Sequence, residues 1–515
     1  MGAKTQQKQS SYLMVAIDEH ESISLASLLA GITFVDPIWD RGITGLANDS
    51  RQVKPGDLFI ACVGQHTDGR QYINNAIEKG AQAILVENAE QSETPQKMTE
   101  LNQDKIPIFY IDLLTQQIGK IAARFYGHPS RQMKIVGITG TNGKTSCSHF
   151  IATILTQLNH PCAVIGTLGY GMIGALQSTG FTTPDAISLQ TAFANLKKQN
   201  IEHVAMEVSS HALDQGRVKQ VEFKIAVFTN LTHDHLDYHG TFEAYGAAKK
   251  ILFDQFGLSY AVINQDDPFG QSLLKQLPST VKGFSYSILD KHADIYAYDL
   301  KLHPQGMEAK VKTPWGEGII KTQLLGSFNL SNLLATLGSV CLLDVPFTDA
   351  LAAMNRLQGI DGRMQIIKTP EHPTAVIDYS HTPDSLEKAL LALREHCEGK
   401  IWCVFGCGGD RDQKKRPIMG EIAEKYADKI VITNDNPRHE SPDFIISGIL
   451  SGIHHKDQAI IEQDRKRAIA YALSKADKND VILIAGKGHE DYQIVGDEHL
   501  PFSDKQVVQE LMNIQ

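Results

Sequence analysis

A lysine and a threonine close the glycine-rich stretch TGTNGKTS, Thr139 to Ser146, and side chains in that order suit the holding of phosphate. Backbone N–H groups from Gly140 to Lys144 can wrap phosphate oxygens at a helix N-terminus, Lys144 can neutralise them, and Thr145 can reach Mg2+. The spacing departs from the usual GxxxxGK[ST], which would put glycine at Ile138; the glycines fall at Gly137, Gly140 and Gly143. An ordinary glycine turn ahead of a helix is the alternative.

Two further clusters bear on the chemistry. Glu207, in MEVSSHALDQGRV, ends an apolar run that reads as a strand, where carboxylates of α/β sheets meet ligands. NLTHDHLDYHG gathers His233, Asp234, His235, Asp237 and His239. Zinc is the rival for such a cluster, but it has no cysteine and no HExxH. A hard cation on one carboxylate and one imidazole, beside a nucleotide, is the better fit.

These residues need elements to place them. KIVGIT, from Lys134, is an apolar strand entering the loop, and SCSHFIATILTQL leaves it with apolar residues at helical spacing. HVAMEVSS, IAVFTNL and AVINQDD repeat the strand signal, so a parallel sheet flanked by helices is expected over residues 126–357. DLFIACV, AQAILVE and the helix-like YINNAIEKGA imply a small α/β domain over 21–125. Over 358–515, the strands TAVIDYS, IWCVFGC, KIVITND and VILIAG alternate with the helices PDSLEKALLALREH, GEIAEKYA and RAIAYALSKA, a second doubly wound unit. The polar residues 1–20 lack signal-peptide character and are expected to form a flexible tail.

The totals agree. A chain of 515 residues exceeds what one core supports, and 42% hydrophobic with 21% charged residues describes an ordinary globular protein. A net charge of -10 disfavours nucleic acid. Seven scattered cysteines indicate a reducing cytoplasm; Cys403 and Cys407, with no second pair, read as buried strand thiols. No apolar run approaches the ~20 residues of a membrane helix.

In order along the chain, TGTNGKTS, TTPDAISLQ, MEVSSHALDQGRV, TNLTHDHLDYHG, GSFNLSNLLAT, DYSHTPDSLEKAL, GCGGDRD, DNPRHE and GKGHEDYQIVG resemble the Mur ligases, from about Asp49 to Ser503. GTNGKT is that family's own form of the phosphate loop. The resemblance implies an α/β protein of three domains: a small N-terminal domain for a UDP-linked substrate, a central P-loop-type parallel-sheet domain for ATP, and a C-terminal Rossmann-like domain for an amino acid. It implies a cytoplasmic enzyme, expected as a monomer, using ATP and Mg2+. The expected reaction is amide formation through an acyl phosphate in peptidoglycan precursor synthesis, with UDP-N-acetylmuramoyl-L-alanyl-D-glutamate and meso-diaminopimelate as partners.

Carried over by resemblance, Gly140, Thr141, Asn142, Gly143, Lys144, Thr145 and Ser146 hold ATP together with Asn329, Arg363, Asp378 and His381. Ser50, Thr67, Thr182, Thr183, Ser209, Gln215 and Arg217 hold the UDP-linked substrate. Lys144, Glu207, His235 and Lys249 are catalytic, and Thr145, Glu207, His235 and Lys249 serve the metal. Lys249, in YGAAKKILF, does so as N6-carboxylysine, since a carbamate turns a cation into an anionic oxygen ligand. The alternatives are a solvated helix lysine, or Lys250 in the other register.

The amino-acid pocket is Arg411, Asp435, Asn436, Pro437, Arg438, Gly486 and Glu490. Members that add diaminopimelate carry DNPR, and lysine-adding relatives lack the arginine. A guanidinium grips the extra carboxylate of diaminopimelate with two hydrogen bonds and repels a bare ammonium; Glu490 suits the distal ammonium. The chain departs from its relatives at Lys414, where they commonly have glycine. A lysine-adding relative or a folylpolyglutamate-type ligase would share the ATP machinery, and Arg438 argues against both. A P-loop phosphotransferase or switch protein would need Lys144 alone.

Overall fold

The computed structural model describes residues 22–64, 67–88, 99–101, 106–255 and 257–514, so the expected tail lies outside the described residues. The chain is mixed α/β with parallel sheets. It separates into two compact units. One comprises the chain up to Gly137 with Pro161–Ala226 and Ala247–Ser259; the other comprises Ile138–His160, Val227–Gly246 and Tyr260–Gln515.

In the first unit, Gly45–Ala47, Asp57–Ala61, Ala83–Glu87 and Pro107–Ile111 form parallel neighbours, and Thr99–Leu101 adds an antiparallel edge. Successive strand residues point to opposite faces: Leu58 and Ile60 enter one apolar layer, Phe59 and Ala61 the other. Burial on both faces is why such strands read as unbroken apolar runs. The same unit pairs His203–Glu207 in parallel with Cys162–Gly166, which leaves Glu207 at a carboxyl end.

In the second unit, helices Lys144–Gln157 and Ser327–Cys341 pack against each other, with most of their residues buried. Tyr260–Asn264 and Lys282–Ser287 pair in parallel, and Ile295–His303, Gly306–Thr313 and Gly316–Thr322 continue as a meander. The C-terminal sheet runs Gln365–Ile367, Thr374–Asp378, Val481–Ala485, Ile401–Phe405, Lys429–Ile432, Ala459–Ile461, parallel except for its first strand. Cys403 and Cys407 lie in its buried apolar layer, and burial pushes the Cys407 thiol up to about 12, away from the thiolate a metal needs. Among the described residues no helix is long and apolar enough to cross a membrane.

Arg465 and Asp504 are both fully buried and meet through two hydrogen bonds of 2.7 and 2.8 Å; the guanidinium also donates to the Ala485 carbonyl at 2.9 Å. The pair ties two helix starts to the end of a central strand. Asp504→Leu strands a buried charge and is expected to destabilise the fold by about 3–5 kcal/mol, with most of the loss recovered when Arg465→Met is added. Urea unfolding followed by circular dichroism measures both.

His149, inside helix Lys144–Gln157, is pushed down to about 4 by burial and by the neighbouring charge of Arg363. Burial likewise pushes His489 down to about 4. Both stay neutral in the fold while their unfolded counterparts take up protons near pH ~6.5, so stability is full above that value and falls as pH drops towards 4. The melting temperature is expected to decline over that window, and less steeply in His149→Phe.

Candidate active site

The glycine-rich loop links the strand Lys134–Thr139 to the helix Lys144–Gln157. Gly140 has φ +149°, and a Cβ there would collide with the Thr229 hydroxyl, so the close passage of the chain requires glycine. Asn142 N–H donates to Asn230 Oδ1 at 3.0 Å, and the Thr229 hydroxyl donates to the Asn142 carbonyl at 2.6 Å. Lys144 Nζ donates to the carbonyls of Gly140 and Thr141, both at 2.7 Å. The lysine is thereby held over its own loop, with Thr145 and Ser146 in the first helical turn.

The C-terminal segment of the second unit reaches this loop. Arg363 donates to Thr145 Oγ1 at 3.2 Å and stacks 4.8 Å over the Tyr379 ring. Asp384 Oδ2 accepts from Asn142 Nδ2 at 2.8 Å, Thr232 Oγ1 at 3.0 Å and Lys388 Nζ at 2.9 Å. Asp378 accepts from the Met364 amide at 2.7 Å and from the Ser380 hydroxyl; burial raises its carboxyl against those bonds and the Arg363 charge. His381 is exposed, with Nδ1 2.8 Å from the Tyr379 carbonyl. Asn329 is buried in its helix and donates to the Leu325 carbonyl at 2.8 Å, while its Oδ1 accepts from Asn332.

Arg363 Nε is buried with no hydrogen-bond partner among the described residues. A cationic donor left unsatisfied beside a glycine cradle and a lysine fits a phosphate chain. His235 stands at φ +53° beside Asp234, 3.4 Å away, with half of its side chain exposed. Among the described residues no three His, Cys, Asp or Glu side chains gather as a metal cluster. Hard oxygen ligands with an imidazole remain the donor chemistry of this segment.

The first unit carries its own network. Glu207 is buried, and its carboxylate accepts from the Thr167 amide at 2.9 Å and the Thr167 hydroxyl at 3.1 Å. Thr182 Oγ1 lies 3.1 Å from the Thr167 hydroxyl. Thr183 donates to the Glu207 carbonyl at 2.9 Å and accepts from the Ser209 amide at 3.0 Å; Arg217 donates to the Thr183 carbonyl and grips Gln215 Oε1. Five of the seven residues expected to hold the UDP-linked substrate are thus joined. Ser50 is buried in a turn and Thr67 is exposed; neither is hydrogen-bonded to the five. Lys249 is 1% exposed at the end of helix Phe242–Lys250, whereas Lys250 lies 4.0 Å from Asp254 near the surface.

The residues expected to hold an amino acid lie beyond the carboxyl ends of three adjacent strands of the C-terminal sheet, where open α/β sheets bind ligands. Gly409 N–H donates to the Asn436 carbonyl, and Arg438 Nη1 donates to the Gly409 carbonyl, both at 2.9 Å. Arg438 takes φ +53°, held by backbone bonds to Ile494 and Gly496. Asp435 sits against Gly486, whose φ of +117° brings the two loops together. Asn436 Nδ2 donates to Glu490 Oε2 at 3.0 Å. Pro437 is buried; Arg411 is exposed. Lys414 adopts φ −65°, ψ −26°, a helical conformation in which a lysine meets no backbone penalty.

Asn332, Asp384 and Lys487 escaped the sequence reading. Asn332 lies one helical turn after Asn329 and presses its amide against Gly143, so the i, i+3 spacing was the available signal. Asp384 and Lys487 sit inside motifs already singled out, but their partners are distant in sequence.

Residues 42–126 match "Mur ligase family, catalytic domain", 138–340 "Mur ligase middle domain", and 362–488 "Mur ligase, glutamate ligase domain". A Coxiella burnetii protein named UDP-N-acetylmuramoyl-L-alanyl-D-glutamate--2,6-diaminopimelate ligase is 49% identical over 466 residues, covering 90% of this chain and 94% of its own. A Pseudomonas aeruginosa protein of the same name is 47% identical over 462 residues, covering 90% and 93%. A solved structure carrying that enzyme name aligns with TM-score 0.69 at 33% identity, covering 96% of this chain and 99% of its own. With three family segments in order and nearly half of its residues shared with such relatives, the chain belongs to the Mur ligase family.

Proposed function

We propose that this chain is an ATP-dependent ligase that joins meso-diaminopimelate to UDP-N-acetylmuramoyl-L-alanyl-D-glutamate in peptidoglycan precursor synthesis. The observation that carries the choice of amino acid is the presence of Arg438 and Glu490 on two loops stitched together by Asn436 Nδ2 on Glu490 Oε2 and by the Arg438 amide on the Ile494 carbonyl. Arg438 spends Nη1 on nearby carbonyls. Its other N–H groups make no hydrogen bond among the described residues, and they suit the distal carboxylate. Glu490 receives the distal ammonium.

The reaction begins when the free γ-carboxylate of the D-glutamate attacks the γ-phosphate of ATP, breaking the bond to ADP and forming an acyl phosphate. The amine of diaminopimelate then adds to the acyl carbon, phosphate leaves, and the amine gives up a proton. Lys144, the loop amides and Arg363 offset the charge spread over the phosphoryl oxygens, and the enzyme otherwise positions the reactants. Thr145, Glu207, His235 and a carbamate on Lys249 would hold Mg2+, which supplies charge neutralisation between the phosphates. Burial of Lys249 supports its choice over Lys250, since a hidden lysine gains most from becoming an anionic ligand beside a cation. Thr182, Thr183, Ser209, Gln215 and Arg217 hold the UDP-linked substrate, with Ser50 and Thr67 contributing from the N-terminal segment.

ATP turnover is expected to require both the UDP-linked dipeptide and diaminopimelate; turnover with neither would point to a switch protein. Arg438→Ala is expected to raise the KM for diaminopimelate about 10- to 100-fold, the loss of a charged hydrogen-bond pair, with kcat nearly unchanged. Equal KM values in both proteins would defeat the assignment. Lys249→Ala is expected to lower kcat by about 100-fold or more while leaving KM for diaminopimelate within about threefold; steady-state kinetics separates the two effects.

A further inference from the structure

We infer that Lys487 is a positioning residue that also sets specificity: a buried counter-ion that orients Glu490 and Asn436 and balances the charge of the amino-acid pocket. The inference rests on the reading of that pocket given above. Lys487 has a side-chain exposure of 0%. A lysine is seldom taken out of water unless its N–H groups are met. Here Nζ donates to Asn436 Oδ1 and Glu490 Oε2, both at 2.9 Å, lies 3.9 Å from Asp435 Oδ1, and stands 5.7 Å from the centre of the Tyr492 ring.

Two consequences follow from this arrangement. Asn436 Nδ2 donates to the same Glu490 oxygen that accepts from Lys487, so the three side chains close a ring and Oε2 is occupied from within. Glu490 Oε1 makes no hydrogen bond among the described residues, which leaves it for an incoming ammonium. The amide of Asn436 cannot turn over, because its Oδ1 also accepts from the Ile494 amide at 3.0 Å. Lys487 therefore decides which face of Glu490 a ligand meets.

The second consequence concerns charge. Asp435 and Glu490 are acidic, and Lys487, Arg438 and Arg411 basic, so Lys487 offsets the acidic pair beside it and the pocket offers both signs to an end group bearing an ammonium and a carboxylate. Without Lys487 the same walls lose one positive charge beside Asp435 and Glu490, which shifts the preference towards a lone ammonium and away from a zwitterion. A lysine that merely props the loops would change stability but not the preference between two amino acids.

The test compares kcat/KM for diaminopimelate and for L-lysine in the wild type and in Lys487→Met. The wild type should strongly prefer diaminopimelate; a wild type that joins neither amino acid refutes the proposed function itself. In the variant, the KM for diaminopimelate should rise at least tenfold, the diaminopimelate-to-lysine ratio should fall at least tenfold, and the KM values for ATP and the UDP-linked dipeptide should stay within twofold. A variant that folds, melts at a lower temperature and keeps the ratio overturns the inference. If the methionine variant does not fold, Lys487→Gln, which keeps a donor and loses the charge, is measured the same way: a fallen ratio supports the role and an unchanged one refutes it.

Discussion

A charge drawn out of water costs several kcal/mol unless an opposite charge or a full set of donors and acceptors meets it. Buried ionic side chains of this chain meet that constraint with different solutions. Glu207 is met by an amide and a hydroxyl of one residue, Thr167. Lys487 is met by a carboxylate and an amide oxygen. Arg465 is met by the paired oxygens of Asp504, one strand end away from Gly486. Because each solution recruits groups from separate segments, satisfying the charge also fixes the relative placement of the loops that hold it.

Parallel sheets make this placement possible. Hydrophobic strands buried on both faces leave no room for polar side chains along their length, so polar residues collect where strands end and helices begin. In the C-terminal sheet, Asp378, the GCGGDRD loop, the DNPR loop and the GKGHE loop all follow strand ends. Backbone N–H groups and short glycine turns there let two loops approach closely enough to share hydrogen bonds, as Gly409 and Asn436 do.

Elements with a continuous apolar run or an apolar helical face are legible in the sequence almost to the residue. KIVGIT is the strand Lys134–Thr139, and PDSLEKALLALREH is the helix Pro383–His396. The strands of the meander Ile295–Thr322 mix apolar residues with exposed Lys and Glu, so no apolar run marks them in the sequence. The hairpin of Tyr492–Val495 and Glu498–Pro501 carries no such run either, since its residues are half-buried or exposed. The site shows the same division. Glycine, lysine and arginine in fixed order announced the loops, whereas Asp384 on Asn142 and Lys487 on Asn436 depend on contacts 242 and 51 residues apart along the chain. Motif reading finds side chains that act on a ligand; it misses those that act on one another.

The contacts of Thr145 show why both kinds matter. A hydroxyl has one donor and two acceptor positions, and here one acceptor position takes the Arg363 guanidinium. One lone pair is thus committed to a residue far along the sequence. Asp384 acts on the same loop from the opposite partner, taking Asn142 and Thr232 on a single oxygen. The GTNGKT loop is consequently shaped by the C-terminal segment of its own unit as much as by its glycines. A change at Arg363 or Asp384 alters the hydrogen bonds around the loop even though the GTNGKT residues are untouched.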